Sequence, residues 1–407
     1  MDVETAPQTT SQTTPTTLPP LPYGLLVVSC LAMFAASSSG TTRAPFLLDM
    51  SRDLNTALPL VANLVAMTSI AWGVASLLAG AGSDRFGRRP FLLLGPLGLM
   101  LALVGVAQAG SFLTVALWSV AAGGFSGGFT GPVYAEVSAR VHAGQRGRAL
   151  GWVMAGQSLT LLVGVPMAAW IGSFVGWRGV NLCIGVLALA ALIGMLITTY
   201  GRVSSARAVG SKPASLGTVM SGPVLRLLTM GVCERVCYGL TAVYFATFLQ
   251  STYAISVAAV AIPLALFAAG NILGTIVGGQ LADRLSNRLR TFAVAMAGSS
   301  GVALLLFGWP ANLETSVGLG FLYVFVNAVA RPSMLAALTD VPEAIRGTVL
   351  GLNVTSASFG WLFAASLGGW MMASYGFGGF GPLAALFGLI GAALALLGGR
   401  RAPVSPR

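Results

Sequence analysis

Five charged side chains stand inside long apolar runs: Arg43, Glu136, Glu234, Arg235 and Arg331. A charge held away from water is costly, and where one persists it pairs, moves a proton or holds a charged ligand. Glu234 falls about 11 residues into its run, ~16 Å deep at the rise of a helix. An unpaired carboxylate at that depth is suited to carrying a proton. The alternative is that Glu234 neutralises an arginine on a facing helix and only fixes packing. Its neighbour Arg235 projects about 100° away around the helix, which disfavours direct pairing of the two. Other chemistry is sparse. His142 is the single histidine, so no His-based metal site can be built. Cys233 and Cys237 share a helix face, as small buried residues often do. No Gly-x-x-x-x-Gly-Lys-Ser/Thr run occurs, so the chain has no ATPase of its own, and nothing in it points to an enzyme.

The elements that must hold these charges follow from composition. Apolar residues make up 56% of the 407, and charged residues only 8%. A water-soluble chain needs about a quarter of its residues charged, so most of this surface faces lipid. A bilayer core of ~30 Å takes about 20 apolar residues as a helix. Twelve segments qualify: 23–48, 57–81, 90–109, 112–138, 148–172, 179–200, 223–249, 256–280, 291–309, 315–338, 347–373 and 380–399. The first is long and is expected to tilt or break near Ser37-Ser38-Ser39-Gly40. Exposed strand edges cannot be satisfied in lipid, and the runs do not alternate as barrel strands do. An all-α membrane protein is predicted.

The net charge of +11 comes in short groups between spans, with no polar basic domain for nucleic acid. Arg43, Arg235 and Arg331 lie within spans, and Arg52 and Arg178 in outer loops. Every other Lys and Arg falls on one side, which the positive-inside rule makes cytoplasmic, together with both termini. Residues 1–21 are Thr- and Pro-rich without a signal-peptide pattern and read as a disordered cytoplasmic tail. Residues 201–222, rich in Ser, Ala and Gly, read as a cytoplasmic linker. It divides a half at 22–200 from a half at 223–400, and 401–407 form a second tail.

The run Gly80-Ala-Gly-Ser-Asp84-Arg85-Phe-Gly87-Arg88-Arg89 sits between two spans and returns in reduced form as Gly279-Gln-Leu-Ala-Asp283-Arg284. Gly131-Pro132, Arg146-Gly147 and Leu150-Gly151 find counterparts in Arg331-Pro332, Arg346-Gly347 and Leu350-Gly351, at one constant spacing. Two parallel six-helix halves with a site at their interface are implied, as in secondary transporters. Asp84, at a helix end, can accept N–H bonds from a neighbouring helix start. Arg85, Arg88 and Arg89 can bind lipid phosphates or loop acids. A purely topogenic role for the cluster would need neither the aspartate nor the glycine spacing.

From residue 22 to 400 the chain resembles the major facilitator superfamily, whose loop signature between spans 2 and 3 matches residues 80–89. Within it, Gly40-Thr41-Thr42-Arg43, Gly156 with Gly164-Val165-Pro166, and Gly176-Trp177-Arg178 resemble the twelve-span drug:proton antiporters and the bacterial sugar- and drug-efflux permeases. The resemblance implies a monomeric multi-pass transporter of the bacterial inner membrane, with no cofactor beyond the proton gradient. It also implies that Asp84 latches onto span 11 in the outward-open state, with Asp283 and Arg284 as the second copy. The glycines and proline of span 5, absent as a proline from span 11, fit a hinge or seal at the interface of the halves. The sequence departs from this branch in three places. Span 4 has no arginine near Val120, its inner acid falls at Glu136 instead of Ala139, and Arg43 stands where glutamate is common. Proton-coupled efflux of small organic or amphipathic compounds is the expected function. Transport of organic anions or another polar metabolite is the alternative that the span arginines favour.

Overall fold

The computed structural model describes residues 21–142, 145–200, 221–285, 287–339 and 343–397. The predicted tail at 1–21, save Leu21, the linker up to residue 220 and the tail at 401–407 lie outside them, as do the side chains of Asp84 and Arg346. The described chain forms helices: α1 (Tyr23–Thr41), α2 (Leu47–Asp53), α3 (Leu58–Phe86), α4 (Arg88–Gln108), α5 (Phe112–Ala139), α6 (Arg146–Leu159) and α7 (Val165–Thr198). The second half continues with α8 (Gly222–Tyr253), α9 (Ala261–Arg284), α10 (Arg288–Gly308), α11 (Leu313–Thr339), α12 (Glu343–Tyr375) and α13 (Phe380–Leu397). No strand occurs among the described residues.

Among the described residues, ten stretches are long and apolar enough to cross a membrane. The stretch Arg146–Thr198 has 53 residues, about 80 Å of helix against a ~30 Å core. It turns at Gly176, whose φ of 68° and ψ of 176° are open to glycine and costly for residues with a Cβ. The stretch Thr355–Leu397 is likewise divided by a short 3-10 turn at Gly376–Gly379. Dividing both accommodates the twelve expected segments. The first span breaks at the end of the expected cluster, where α1 stops at Thr41. The hydroxyls of Ser39, Thr41 and Thr42 donate back to the carbonyls of Ala36, Ser37 and Ser38, so the polar cluster stays helical. A 3-10 turn follows at Ala44–Phe46, where Pro45 cannot donate.

Small residues set the close packing inside each half. A Cβ at Gly123 or Gly127 of α5 would strike the backbone carbonyl of Thr68 or Trp72 on α3. In the second half the roles are exchanged, and Gly274 and Gly278 of α9 lie on the carbonyls of Phe325 and Val329 on α11. Such contacts bring helices together where no hydrophobic effect drives them.

The halves meet through α3 with α12, through α9 with the segment Thr160–Gly164 and α7, and through Ala44–Phe46 with α8. Among the described residues, hydrogen bonds from Gln250 and Ser366 join them. Gln250 Nε2 donates to the Pro45 carbonyl at 2.9 Å, and Ser366 Oγ donates to Asn63 Oδ1 at 3.1 Å. Both lie toward the end of the bundle opposite the arginine-bearing turns at Phe86–Arg88 and Arg284–Arg288. Among the described residues, α6, which runs to the arginine-bearing end, makes no substantial contact with the second half. A cleft therefore opens between the halves toward the arginine-bearing end and closes at the other.

Candidate functional site

Glu234 and Arg235 form a buried pair. Arg235 Nε donates to Glu234 Oε2 at 2.6 Å and Nη2 to Oε1 at 2.5 Å, with the Glu234 side chain 1% exposed. This corrects the expectation from helix geometry that neighbours 100° apart would not pair. The long guanidinium arm curls back around the helix, and the missing Cβ of Gly360 on α12 makes room for the Arg235 stem. The guanidinium also lies 4.8 Å over the ring centre of Tyr238, one turn along α8. Arg331 on α11 is exposed and shares an electrostatic neighbourhood with Glu234, Arg235 and Tyr238. It has no ion pair or hydrogen bond among the described residues.

Tyr238 links this cluster to an apolar cavity of about 40 Å³ at the apex of the cleft. Both halves line it, through Thr41, Leu161 and Val165 on one side and Tyr238, Phe267 and Trp361 on the other. The Tyr238 ring stacks on Phe267 at 6.3 Å and meets Trp361 edge-on at 5.7 Å. In this state the cavity holds little more than a water molecule or two.

The other two span charges are elsewhere. Arg43 is 2% exposed and donates from Nη1 to Thr68 Oγ1 at 2.8 Å, while its Nε and Nη2 have no partner. No carboxylate lies within ion-pair distance of it among the described residues. Glu136 is not at the cleft apex. It receives Arg140 Nε at 2.6 Å and stands 3.7 Å from Arg88, at the arginine-bearing end of the first half. Arg140 also donates to the Thr198 carbonyl and Arg88 to that of Ala135, so Glu136 is the centre of a tie between α4, α5 and α7. The expected candidates thus separate into Glu234, Arg235 and Arg331 together, and Arg43 and Glu136 each apart.

A sequence model of the Major Facilitator Superfamily matches residues 28–232 and 227–407. The chain belongs to the Major Facilitator Superfamily. It is similar to a chloramphenicol resistance protein of Streptomyces lividans, 27% identical over 298 residues, covering 72% of each chain. It is also 27% identical over 304 residues to the transcription regulatory protein OpdE of Pseudomonas aeruginosa, covering 73% of this chain and 74% of the other. Among solved structures, the D-xylose–proton symporter superposes with a TM-score of 0.76 over 92% of this chain and 97% of that one, at 16% identity. The molecule is a multi-pass membrane transporter with the superfamily fold, and not an enzyme.

The superfamily's loop signature lies at the turn from α3 to α4. Gly87 (φ 84°) ends one helix and starts the next. Nothing approaches Gly80, Arg85 lies over the Phe86 ring, and Arg89 lies 5.9 Å over that of Tyr200. The Asp84 carboxylate, the centre of the expected latch, is outside the described side chains. Asp283 and Arg284 line an open polar depression with Asn287 and Arg288. In span 5 a π-helical turn at Thr160–Gly164 precedes Pro166, whose ring removes a donor there. The motif glycines pack within their own half. Gly156 lies on the Cys30 carbonyl and Gly164 on the Phe34 ring, both of α1. Leu161 and Val165, on another face of the same turn, reach the shared cavity.

Several site residues were missed in the sequence. Tyr238 is one turn from Glu234, a spacing that would have placed it beside the charge. Gln250 and Asn63 are uncharged polar residues in spans, a weaker form of the signal that marked the arginines. Trp177 and Arg178 entered only by resemblance. They donate to Asp53 Oδ2 at 2.9 and 2.7 Å and so tie the turn at Gly176 to the end of α2.

Proposed function

We propose that this transporter exports small amphipathic organic compounds by alternating access, driven by the proton gradient across a bacterial plasma membrane. The observation that carries the reading is the apolar cavity built by both halves at the apex of a cleft that is closed at one end only. Such a site can be reached from one side at a time, and rocking of the halves exchanges the sides. Its apolar and aromatic lining suits a compound with a hydrophobic body, and the relative named for chloramphenicol resistance supports export. With the arginine-bearing end cytoplasmic, the state described is the one that loads substrate from inside. When the cleft closes at that end, Asp84 would take N–H bonds from the start of α12.

Neither span carboxylate is free, so a proton that drives the cycle has to compete with an arginine. At Glu234 it would release Arg235 beside the cavity, which is where coupling to substrate is possible. A second reading, transport of organic anions, is favoured by Arg43 and Arg331, which no carboxylate neutralises. In everted vesicles energised to acid inside, chloramphenicol is the first compound to try. Export by proton exchange should discharge the pH gradient when the drug is added, and an unchanged gradient across a panel of amphipathic drugs rejects the antiport reading. For the sidedness, a cysteine placed at Ser211 should be inaccessible to external reagents in intact cells. Labelling from outside would reverse the assignment.

A further inference from the structure

The charges at the head of the cleft do not balance. Both oxygens of Glu234 are occupied by Arg235 through two short, parallel bonds, the geometry in which a carboxylate and a guanidinium satisfy each other. Arg331 is a second guanidinium in the same electrostatic neighbourhood, so the cluster carries one uncompensated positive charge. Arginine does not shed its proton to relieve this. Its side chain is exposed while Glu234, Arg235 and Tyr238 are buried, and the contacts of Tyr323 with the Cys237 carbonyl and of Met334 with Gly231 bracket Arg331 on α11 at the level of that pair on α8. Tyr238 feels the same charge and forms the wall of the apolar cavity with Phe267 and Trp361. A cation and an aromatic wall are thus joined through one side chain.

We propose that Arg331 receives an anionic group of the transported compound, and that the compound is an amphipathic organic acid. Its apolar body lies along Tyr238, Phe267 and Trp361. The proposal rests on the reading of the chain as a transporter of small amphipathic compounds and names the class it takes. An acid satisfies a cation that has no partner among the described residues, whereas a cationic drug would meet repulsion from Arg331 and find Glu234 already bonded. An inorganic anion offers the same charge without the body, so the two must be separated by experiment.

The test is equilibrium binding to the purified full-length protein in detergent, with no gradient, so that failure of proton coupling leaves it unaffected. The probes are 4-phenylbutyrate, indole-3-acetate and benzoate, each against its neutral carboxamide, with inorganic phosphate as competitor at matched ionic strength. At least one acid should bind about ten-fold or more tightly than its amide, about 1.4 kcal/mol. Arg331→Gln should collapse that ratio while the amide's own affinity stays within about two-fold, and Arg331→Lys should keep part of it. Phosphate should compete far more weakly than the acid. Equal affinities of acid and amide in the unmodified protein overturn the proposal without any variant. So do a ratio that survives in Arg331→Gln, phosphate competing as well as the acids, and no binding of any acid at millimolar concentration. Acid selectivity without proton-driven transport would instead refute only the antiport reading.

Discussion

Replacing Glu234 by glutamine keeps the side-chain volume and removes the negative charge, leaving Arg235 buried against a neutral amide. Breaking a buried ion pair by losing one partner costs about 3–5 kcal/mol. The amide oxygen of glutamine still accepts one bond from Arg235, which recovers about 1 kcal/mol, so a net loss of about 2–4 kcal/mol is expected. The reverse change, Arg235→Gln, should cost less. It leaves a carboxylate, but Arg331 stands within electrostatic reach and its exposed side chain is free to swing toward Glu234. The double variant Glu234→Gln/Arg235→Gln buries no net charge and should recover to within about 1 kcal/mol of the unmodified protein. Unfolding in mixed micelles with increasing sodium dodecyl sulfate, followed by tryptophan fluorescence, reads all three midpoints. A Glu234→Gln midpoint equal to that of the unmodified protein would refute the reasoning. So would a double variant as unstable as the two single losses added together.

Three further outcomes follow from the packing and the motifs. Gly156→Ala should lower the unfolding midpoint by about 1–3 kcal/mol, because its Cβ meets the fixed Cys30 carbonyl; Gly131→Ala, with nothing within 4 Å of its Cβ, should be neutral or stabilising. With Cys30, Cys183, Cys233 and Cys237 replaced, the pair Asn63→Cys/Ser366→Cys should cross-link on oxidation and stop transport until reduced, because it locks the end of the cleft that is closed here. Full turnover of the cross-linked protein would mean that this end need not open. Asp84→Asn should abolish transport with little loss of folded protein, and Asp283→Asn should be milder, since the second turn lacks the glycine and paired arginines that follow Asp84. Full activity in both variants would leave only a topogenic role for the signature.

The helices were legible because lipid leaves the backbone few options. Apolar length alone placed most of the long helices to within a few residues, though not the end of α1 at Thr41 or the short α2, and the loop signature placed the turn at Gly87. What failed to appear was anything set by the reach of a side chain. The angle between Glu234 and Arg235 at the helix surface was correct, but it governs where the Cβ atoms point and not where a four-bond guanidinium arm ends. Glu136 and Arg140 stand four residues apart, a spacing that brings side chains together on a helix, and could have been paired from the sequence. Arg88, on another helix, could not.

The distribution of these pairs also constrains how a gradient could be used. A carboxylate that serves only packing is best held by an arginine that is itself anchored, as Glu136 is through Arg140 and Arg88, both of which bond backbone carbonyls on other elements. Protonating Glu136 would loosen the arginine-bearing end of one half without touching the cavity. Glu234 differs, because its partner Arg235 is shared with the Tyr238 ring that forms the cavity wall, and because the exposed Arg331 shares its electrostatic neighbourhood. Protonation there changes the charge facing the substrate by one unit and frees a guanidinium next to it. Of the two acids, only Glu234 is placed so that proton and substrate act on the same side chains, and a coupled cycle needs that shared contact.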